Sequence, residues 1–402
     1  MPTNRTVRGG APRSRAVLGA AVAVVALVTG CEDNGSTGAA SAPRPAPPAA
    51  PALPAPETAA GTVEENAAEE SVAPRGPSSP PARPADPAAP PALSDRPRPE
   101  REPAPQPEPA AGQAQGCPTA PANSFWRARV DRLPVHVSSG RYVASIGADR
   151  PLHPDFGSGL IDGKPFGIPI TRTTTSVPEA KLSFDYAGES EPRGYRIPSN
   201  ARIEGGPGSD GDRHVIVWDK ARCAAYELYD ARPKGGGAWH AGSGAVFDLR
   251  SNKLRPDGWT SADAAGLAIL PGLVRQEEAA KGRIDHAIRI TVPRSDRSYV
   301  WPARHQAGGA ADRSLPPMGL RLRLKSSVDT SKLSPQARVV AEALKKYGAI
   351  VADNGSPWYI TGEQHEGWNN SDLRGLKGIK GSDFEAVDTS SLMTDRDSGA
   401  VS

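Results

Sequence analysis

From Arg141 onward, short apolar runs alternate with clusters of turn-forming residues, and the period within the runs is mostly that of strands. Tyr142-Val143-Ala144-Ser145-Ile146, Lys181 to Tyr186, His214 to Trp218, Ala225 to Tyr229, Ala245 to Leu249, His286 to Val292 and Ser298 to Trp301 all read this way. Gly319 to Lys325 alternates strictly, leucine on one side and basic residues on the other, as a half-buried antiparallel strand does. Ala349 to Ile360 reads as a hairpin turning at Asn354-Gly355. One helix is well specified: Ser334 caps it, Pro335 opens it, Val339, Val340, Ala343, Leu344 and Tyr347 form its apolar face, and Gly348 ends it. A shorter one is expected over Gln276 to Lys281. About nine short strands with one or two short helices predict a mainly β domain, an antiparallel β-sandwich of jelly-roll-like kind, over 117–388, with 389–402 a disordered tail.

The first hundred or so residues follow another pattern. Met1 to Arg15 carry four arginines and no acid, and the uncharged run Ala16 to Thr29 follows. These are the basic and apolar regions of a signal peptide, too short to be a membrane span. The run ends in Val28-Thr29-Gly30-Cys31, which resembles the lipobox of bacterial lipoproteins. That resemblance implies cleavage after residue 30, lipidation of Cys31, and a protein anchored to the outer face of the cell membrane.

Residues 31–116 then lack every aromatic and hold 21 of the 43 prolines. Such a segment buries too little apolar surface to offset its ordering entropy, so a disordered Pro/Ala-rich tether is expected. As polyproline II it would reach at most about 260 Å, and as a coil about 55 Å. Every aromatic lies at or beyond Phe125, so the core belongs to the second half of the chain.

Once Cys31 is assigned to lipid, Cys117 and Cys223 remain, and an isolated pair in an oxidising compartment is expected to form a disulfide. The net charge of +3 is small. No nucleic-acid partner, no cofactor and a monomer are expected. Walker, G-x-G-x-x-G, H-E-x-x-H and EF-hand motifs are missing from the sequence, which removes the common nucleotide enzymes and metalloproteases. Ser243 in His240-Ala241-Gly242-Ser243-Gly244 lacks the spacing of a serine nucleophile elbow.

Candidate chemistry concentrates between Asp212 and His305, where Trp218, Trp239, Trp259 and Trp301 sit close to histidines and aspartates. Flat rings beside charged hydrogen-bonding groups suit a sugar, so polysaccharide is the expected ligand. The catalytic candidates are His240, His286, His305, Asp219 and Asp263, with Trp239, Trp259, Arg283 and Arg304 as substrate-binding candidates. Carboxylates such as Asp219, Asp263, Asp248 and Glu227 suit glycoside hydrolysis, which needs two. A uronate lyase would instead use His240, His286 or His305 as base, with Arg283 or Arg304 neutralising the uronate. A metal on two or three of these histidines is a third arrangement, although no fixed spacing supports it, and no metal is expected.

Arg213 to Val217, Trp239 to Leu249, Gly258 to Leu267, Gly282 to Ala287 and Val300 to Ala303 together resemble a group of secreted bacterial proteins with no established activity. The likeness covers most of Arg141 to Asp388 and implies one extracellular domain, with no catalytic residue carried over. The expectation is therefore a surface lipoprotein whose domain binds or cleaves polysaccharide, the alternative being a non-catalytic structural or adhesion module of the envelope.

Overall fold

The computed structural model describes residues 116–402 apart from 162 and 310. The leader 1–30, Cys31 and all but the last residue of the 31–116 tether lie outside the described residues. In chain order the elements begin with α1 (Ser139–Ile146), β1 (His153–Asp155), β2 (Leu160–Ile161), β3 (Lys164–Pro165), β4 (Ile170–Thr173) and β5 (Lys181–Phe184). Next come β6 (Val215–Asp219), β7 (Ala224–Tyr229), β8 (Arg232–Gly235), β9 (Ala238–Ala241), β10 (Ser243–Asp248), α2 (Gln276–Ala280) and β11 (Ile288–Val292). The last are β12 (Arg321–Leu324), α3 (Pro335–Lys346), β13 (Ala349–Asn354), β14 (Tyr359–Thr361), α4 (Asn370–Arg374) and β15 (Phe384–Ala386).

The strands form a six-stranded sheet in the order β1-β14-β11-β13-β12-β15, a four-stranded sheet β10-β7-β6-β4, a three-stranded sheet β5-β9-β8 and the β2-β3 pair. The mainly β character follows from the apolar runs, but the sheets are mixed rather than purely antiparallel. β1 with β14, β11 with β13, β4 with β6, and β5 with β9 are parallel pairs. The expected hairpin at Asn354-Gly355 is also absent as such. β13 and β14 do leave that turn, but β11 lies between them, parallel to one and antiparallel to the other. A local turn signal does not reveal a third strand arriving from sixty residues upstream.

Three other expectations are corrected. Tyr142 to Ile146 is the end of helix α1, not a strand, because Tyr142, Val143 and Ile146 bury one helical face and Gly147, at φ 116°, ends it. Ser298 to Trp301 makes only an isolated bridge from Tyr299 to Met318. The residues 389–402, polar enough to suggest disorder, are docked: Ala400 bridges Ser124, Ser398 bridges Lys253, and Asp397 pairs with the buried Arg304 at 2.7 Å. Their main-chain groups and one carboxylate do what apolar side chains would do elsewhere, and the ordered domain continues past Asp388.

Helix α3 forms as its sequence requires, with Ser334 before it, Pro335 opening it and Gly348 at φ 70° after it. Its buried Ala337, Val340, Ala341, Ala343 and Leu344 join the largest core, together with Ile288, Ile290 and Val292 of β11 and Leu322 and Leu324 of β12. A second core gathers Ile216, Trp218 and Ile269 beside the bridge from Cys117 to Cys223, which closes a sequence separation of 106 residues. Loop closure on that scale stabilises by up to about 4.7 kcal/mol in chain-entropy terms. The described helices include none long and apolar enough to cross a membrane.

Candidate functional site

The residues singled out by their sequence setting are not brought together. His240 lies on β9, its Nδ1 3.0 Å from the Ser183 hydroxyl and its Nε2 3.3 Å from Asp185. His286 is buried elsewhere, with its ring nitrogens 2.7 Å from the Ala287 carbonyl and 3.0 Å from Glu278. Burial works to raise the Glu278 carboxyl, but His286 and Arg275 outweigh it and hold it down at about 2, the mark of a structural ion cluster. His305 meets the Ala264 carbonyl at 2.9 Å. Asp219 is fully buried and accepts the N–H groups of Ala221 and Arg222, which makes it a turn residue.

Trp239 is buried in a core, whereas Trp259 is half-buried beneath the Arg255 guanidinium at 5.4 Å. Arg283 is exposed and pairs with Asp285 at 2.6 Å. Arg304 is buried and held by Asp397. Ser243 is also structural, its hydroxyl donating to the Ser261 carbonyl at 2.6 Å. Of these residues Asp263 enters a constellation capable of chemistry, and its partners Arg289 and Asp353 stand on strands that are legible in the sequence but whose pairing is not.

That constellation is built on one face of the large sheet. On β11, Ile288, Ile290 and Val292 point into the main core, so Arg289 and Thr291 face the other side. The register sets His153, Tyr359, Thr291 and Asp353 opposite one another across β1, β14, β11 and β13. Two residues along, Asp155 stands opposite Thr361, and Thr361 accepts from Nη1 of Arg289 at 3.4 Å. The rings of His153 and Tyr359 stack at 4.0 Å, 5° from parallel.

Asp353 reaches this face through a β-bulge. The β11–β13 register jumps between Ile290 and Thr291, where Val351 is followed by Asp353 as the next partner and Ala352 is left over. In an unbroken ladder Asp353 would stand opposite Val292 and point into the apolar core, so the extra residue re-aims the carboxylate. The Ala352 carbonyl is not left unpaired; it accepts the N–H of Ala265 at 2.9 Å. The same loop delivers Asp263, where Ser261 binds the carbonyls of Asp263 and Leu267 and fixes the turn.

Arg289 forms the centre. Its Nε and Nη2 each bond an oxygen of Asp263 at 2.7 Å, and Nη2 also reaches Asp353 at 3.2 Å. The Arg289–Asp263 pair is almost entirely buried, while Asp353 keeps 27% of its side chain exposed. From the side of β6 and β7 come two more acids and a base. Glu204 lies 2.6 Å from Nδ1 of His214, whose Nε2 meets the Ala262 carbonyl at 3.1 Å. Glu227 receives the N–H groups of Ile269 and Leu270 at 2.7 and 2.9 Å.

This crowding displaces the titrations. Burial pushes the Asp155 carboxyl up to about 6, helped by the nearby charge of Glu204 and opposed by Arg289. Burial and then Asp263 push Asp353 up to about 6, again against Arg289. Burial raises Glu227 to about 7 despite its two amide donors. Burial disfavours the His214 cation, but Glu204 more than compensates and raises it to about 9, so imidazolium persists at neutral pH. Two partly exposed carboxyls that titrate near neutrality, on a face with fixed positive charge beneath, are suited to moving protons at pH 5–7.

Asp353 lay in a stretch that reads as a turn, and Asp155 in His153-Pro154-Asp155 carries no motif. One signal was present: Arg289 interrupts Ile288-Arg289-Ile290-Thr291-Val292, and a cation buried in so apolar a strand needs polar partners, which here are carboxylates. Among the described residues no group of three or more His, Cys, Asp or Glu side chains is disposed to hold a metal ion. Comparison with family models, with curated proteins and with solved structures gives no match, so the chemistry is read from the site's own geometry.

Proposed function

We propose that this is a lipid-anchored extracytoplasmic protein whose domain, carried on a Pro/Ala-rich stalk, cleaves polysaccharide as a glycoside hydrolase with Asp155 and Asp353 as its carboxyl pair. The observation that carries this reading is the pair itself: two carboxyls, each raised to about 6, on one face of one sheet. Their strands are separated by β14 and β11, about 14 Å between backbones at ~4.8 Å per strand spacing. With Asp155 a further two residues along its strand, that separation rules out the ~5–5.5 Å approach used for retention, and the wider inverting arrangement requires both side chains to lean toward each other across the face. Tyr359 and His153 border the same face and offer ring edges to a sugar. In this reading the six- and four-stranded sheets are the layers of a sandwich, supported by the loop at 262–263, whose Asp263 side chain bonds Arg289 of β11 and whose Ala262 carbonyl meets His214 beside β6.

The test is incubation of the purified protein with a panel of cell-wall and environmental polysaccharides, following new reducing ends and the ultraviolet absorbance of unsaturated uronates. New reducing ends without that absorbance are expected. Absorbance would indicate a lyase, and retention on glycans without cleavage would leave a binding or adhesion module. Because one carboxyl must be protonated and the other ionised, the rate should peak near pH 6 and fall on both sides. A rate rising steadily to pH 9 would contradict the assignment. The anchor is tested separately: Cys31→Ala should release the protein from membranes, and unchanged membrane retention would exclude lipidation as the attachment.

A further inference from the structure

A second feature of the fold shares no residue with the Asp155–Asp353 face. A cavity of about 370 Å³ opens between α1, the Asp257 turn, the segment Tyr299–Arg304 and the docked C-terminal residues. That volume lies in the range of small-molecule sites. Tyr142, Tyr299 and Trp301 supply its aromatic surface, and Val300 and Met393, 40% and 43% exposed, extend it.

Its charge is unusual. Three arginines line it: Arg304, Arg321 and Arg396. Arg304 is buried, and although its terminal nitrogens are bonded to Asp397 and the Arg396 carbonyl, its buried Nε has no acceptor. Arg321 is also buried, and its guanidinium is held only by the main-chain carbonyls of Tyr347 and Phe125, at 2.8 and 2.6 Å. Without a carboxylate partner, burial lowers it to about 9. Arg396 is exposed and makes no ion pair among the described residues. The two acids on the lining are already engaged, Asp257 by the Tyr299 hydroxyl at 2.9 Å and by Arg304 at 3.6 Å, and Asp388 by the Ser390 N–H at 2.9 Å. Two buried guanidinium groups on the lining, one of them without a carboxylate partner, together with the exposed Arg396 favour an anion in the cavity.

We propose that this cavity binds a small organic carboxylate built on a ring of monosaccharide size, the ring against Tyr299 and Trp301 and the carboxylate held by the exposed Arg396, with the buried Arg304 and Arg321 adding positive charge. The ring is a uronic acid or an aromatic acid; the recognition chemistry is common to both. This inference stands apart from the glycosidase reading, because none of the lining residues belongs to the Asp155–Asp353 face.

The test is calorimetric titration of the purified protein with glucuronate, benzoate and glucose, with tryptophan fluorescence as a second signal. At least one carboxylate should bind, and glucose should bind at least about tenfold more weakly, as expected for a charge-assisted contact. Preference for glucuronate over benzoate would identify the ligand as a sugar acid, and the reverse would identify a non-sugar acid. Arg396→Ala should weaken carboxylate binding by about tenfold, and Arg396→Lys should restore part of it. The Arg396 side chain is exposed and makes no hydrogen bond or ion pair among the described residues, so the melting temperature should be little changed. Asp353→Asn should bind like the wild type, which separates this site from the proposed catalytic face. No binding of either carboxylate, equal binding of glucose, or indifference to Arg396→Ala would overturn the proposal.

Discussion

Arg289→Ala should destabilise the domain by about 3–5 kcal/mol, the cost of leaving a buried charge without its partner. Asp263 is 1% exposed and has both oxygens on Arg289, so the substitution strands a carboxylate where water cannot replace the guanidinium. Asp353 loses its contact at 3.2 Å as well, and Thr361 loses a donor. Denaturant unfolding reads the loss directly. Arg289→Leu combined with Asp263→Leu, which removes both charges at once, should recover most of the stability, because the desolvation penalty disappears with the ions. A single-variant loss below about 1 kcal/mol would mean that water reaches Asp263 and that the site is not the dry, preorganised cluster described above.

How far this was legible in the sequence depends on the range over which each signal acts. Helix α3 was readable because Ser334, Pro335 and Gly348 act within a turn of it and its apolar face repeats at helical period. The strands β6, β7, β10, β11 and β12 were readable as apolar runs. Which strand pairs with which was not: β11 inserts between β13 and β14, and β1 joins the sheet through β14, and these are contacts across sixty to two hundred residues. The site follows the same division. Histidines and tryptophans in polar surroundings attracted notice, yet His286 and Asp219 satisfy local main-chain and ionic needs, and Trp239 fills a core. Asp353 faces the site only because of one bulged residue, Ala352, and no local pattern encodes a one-residue slip. Asp263 stands in a polar stretch of the sequence, but its role as the buried counter-ion of Arg289 emerges only when the loop and β11 meet.

Asp353→Asn and Asp155→Asn should each lower glycan cleavage by about 100- to 10,000-fold, the range for loss of a general acid or base. Both side chains retain volume and hydrogen-bonding capacity. Neither removes the Arg289–Asp263 pair, so stability should be little changed. The acid and the base differ in one respect. Activity of the base variant should be rescued by a small exogenous nucleophile such as azide, which replaces the activated water, whereas the acid variant should keep substantial activity only on substrates whose leaving group needs no proton. His240→Gln and His305→Gln, which lie in other contacts, should cleave at near wild-type rates.

The most direct measurement is the initial rate of reducing-end release by the wild type, Asp155→Asn and Asp353→Asn on one responsive polysaccharide, at pH 6 and equal folded concentration. Loss of at least about a hundredfold in both variants, with unfolding midpoints near the wild type, is the expected result. Cleavage by the wild type that survives in both folded variants would place the chemistry elsewhere on the molecule.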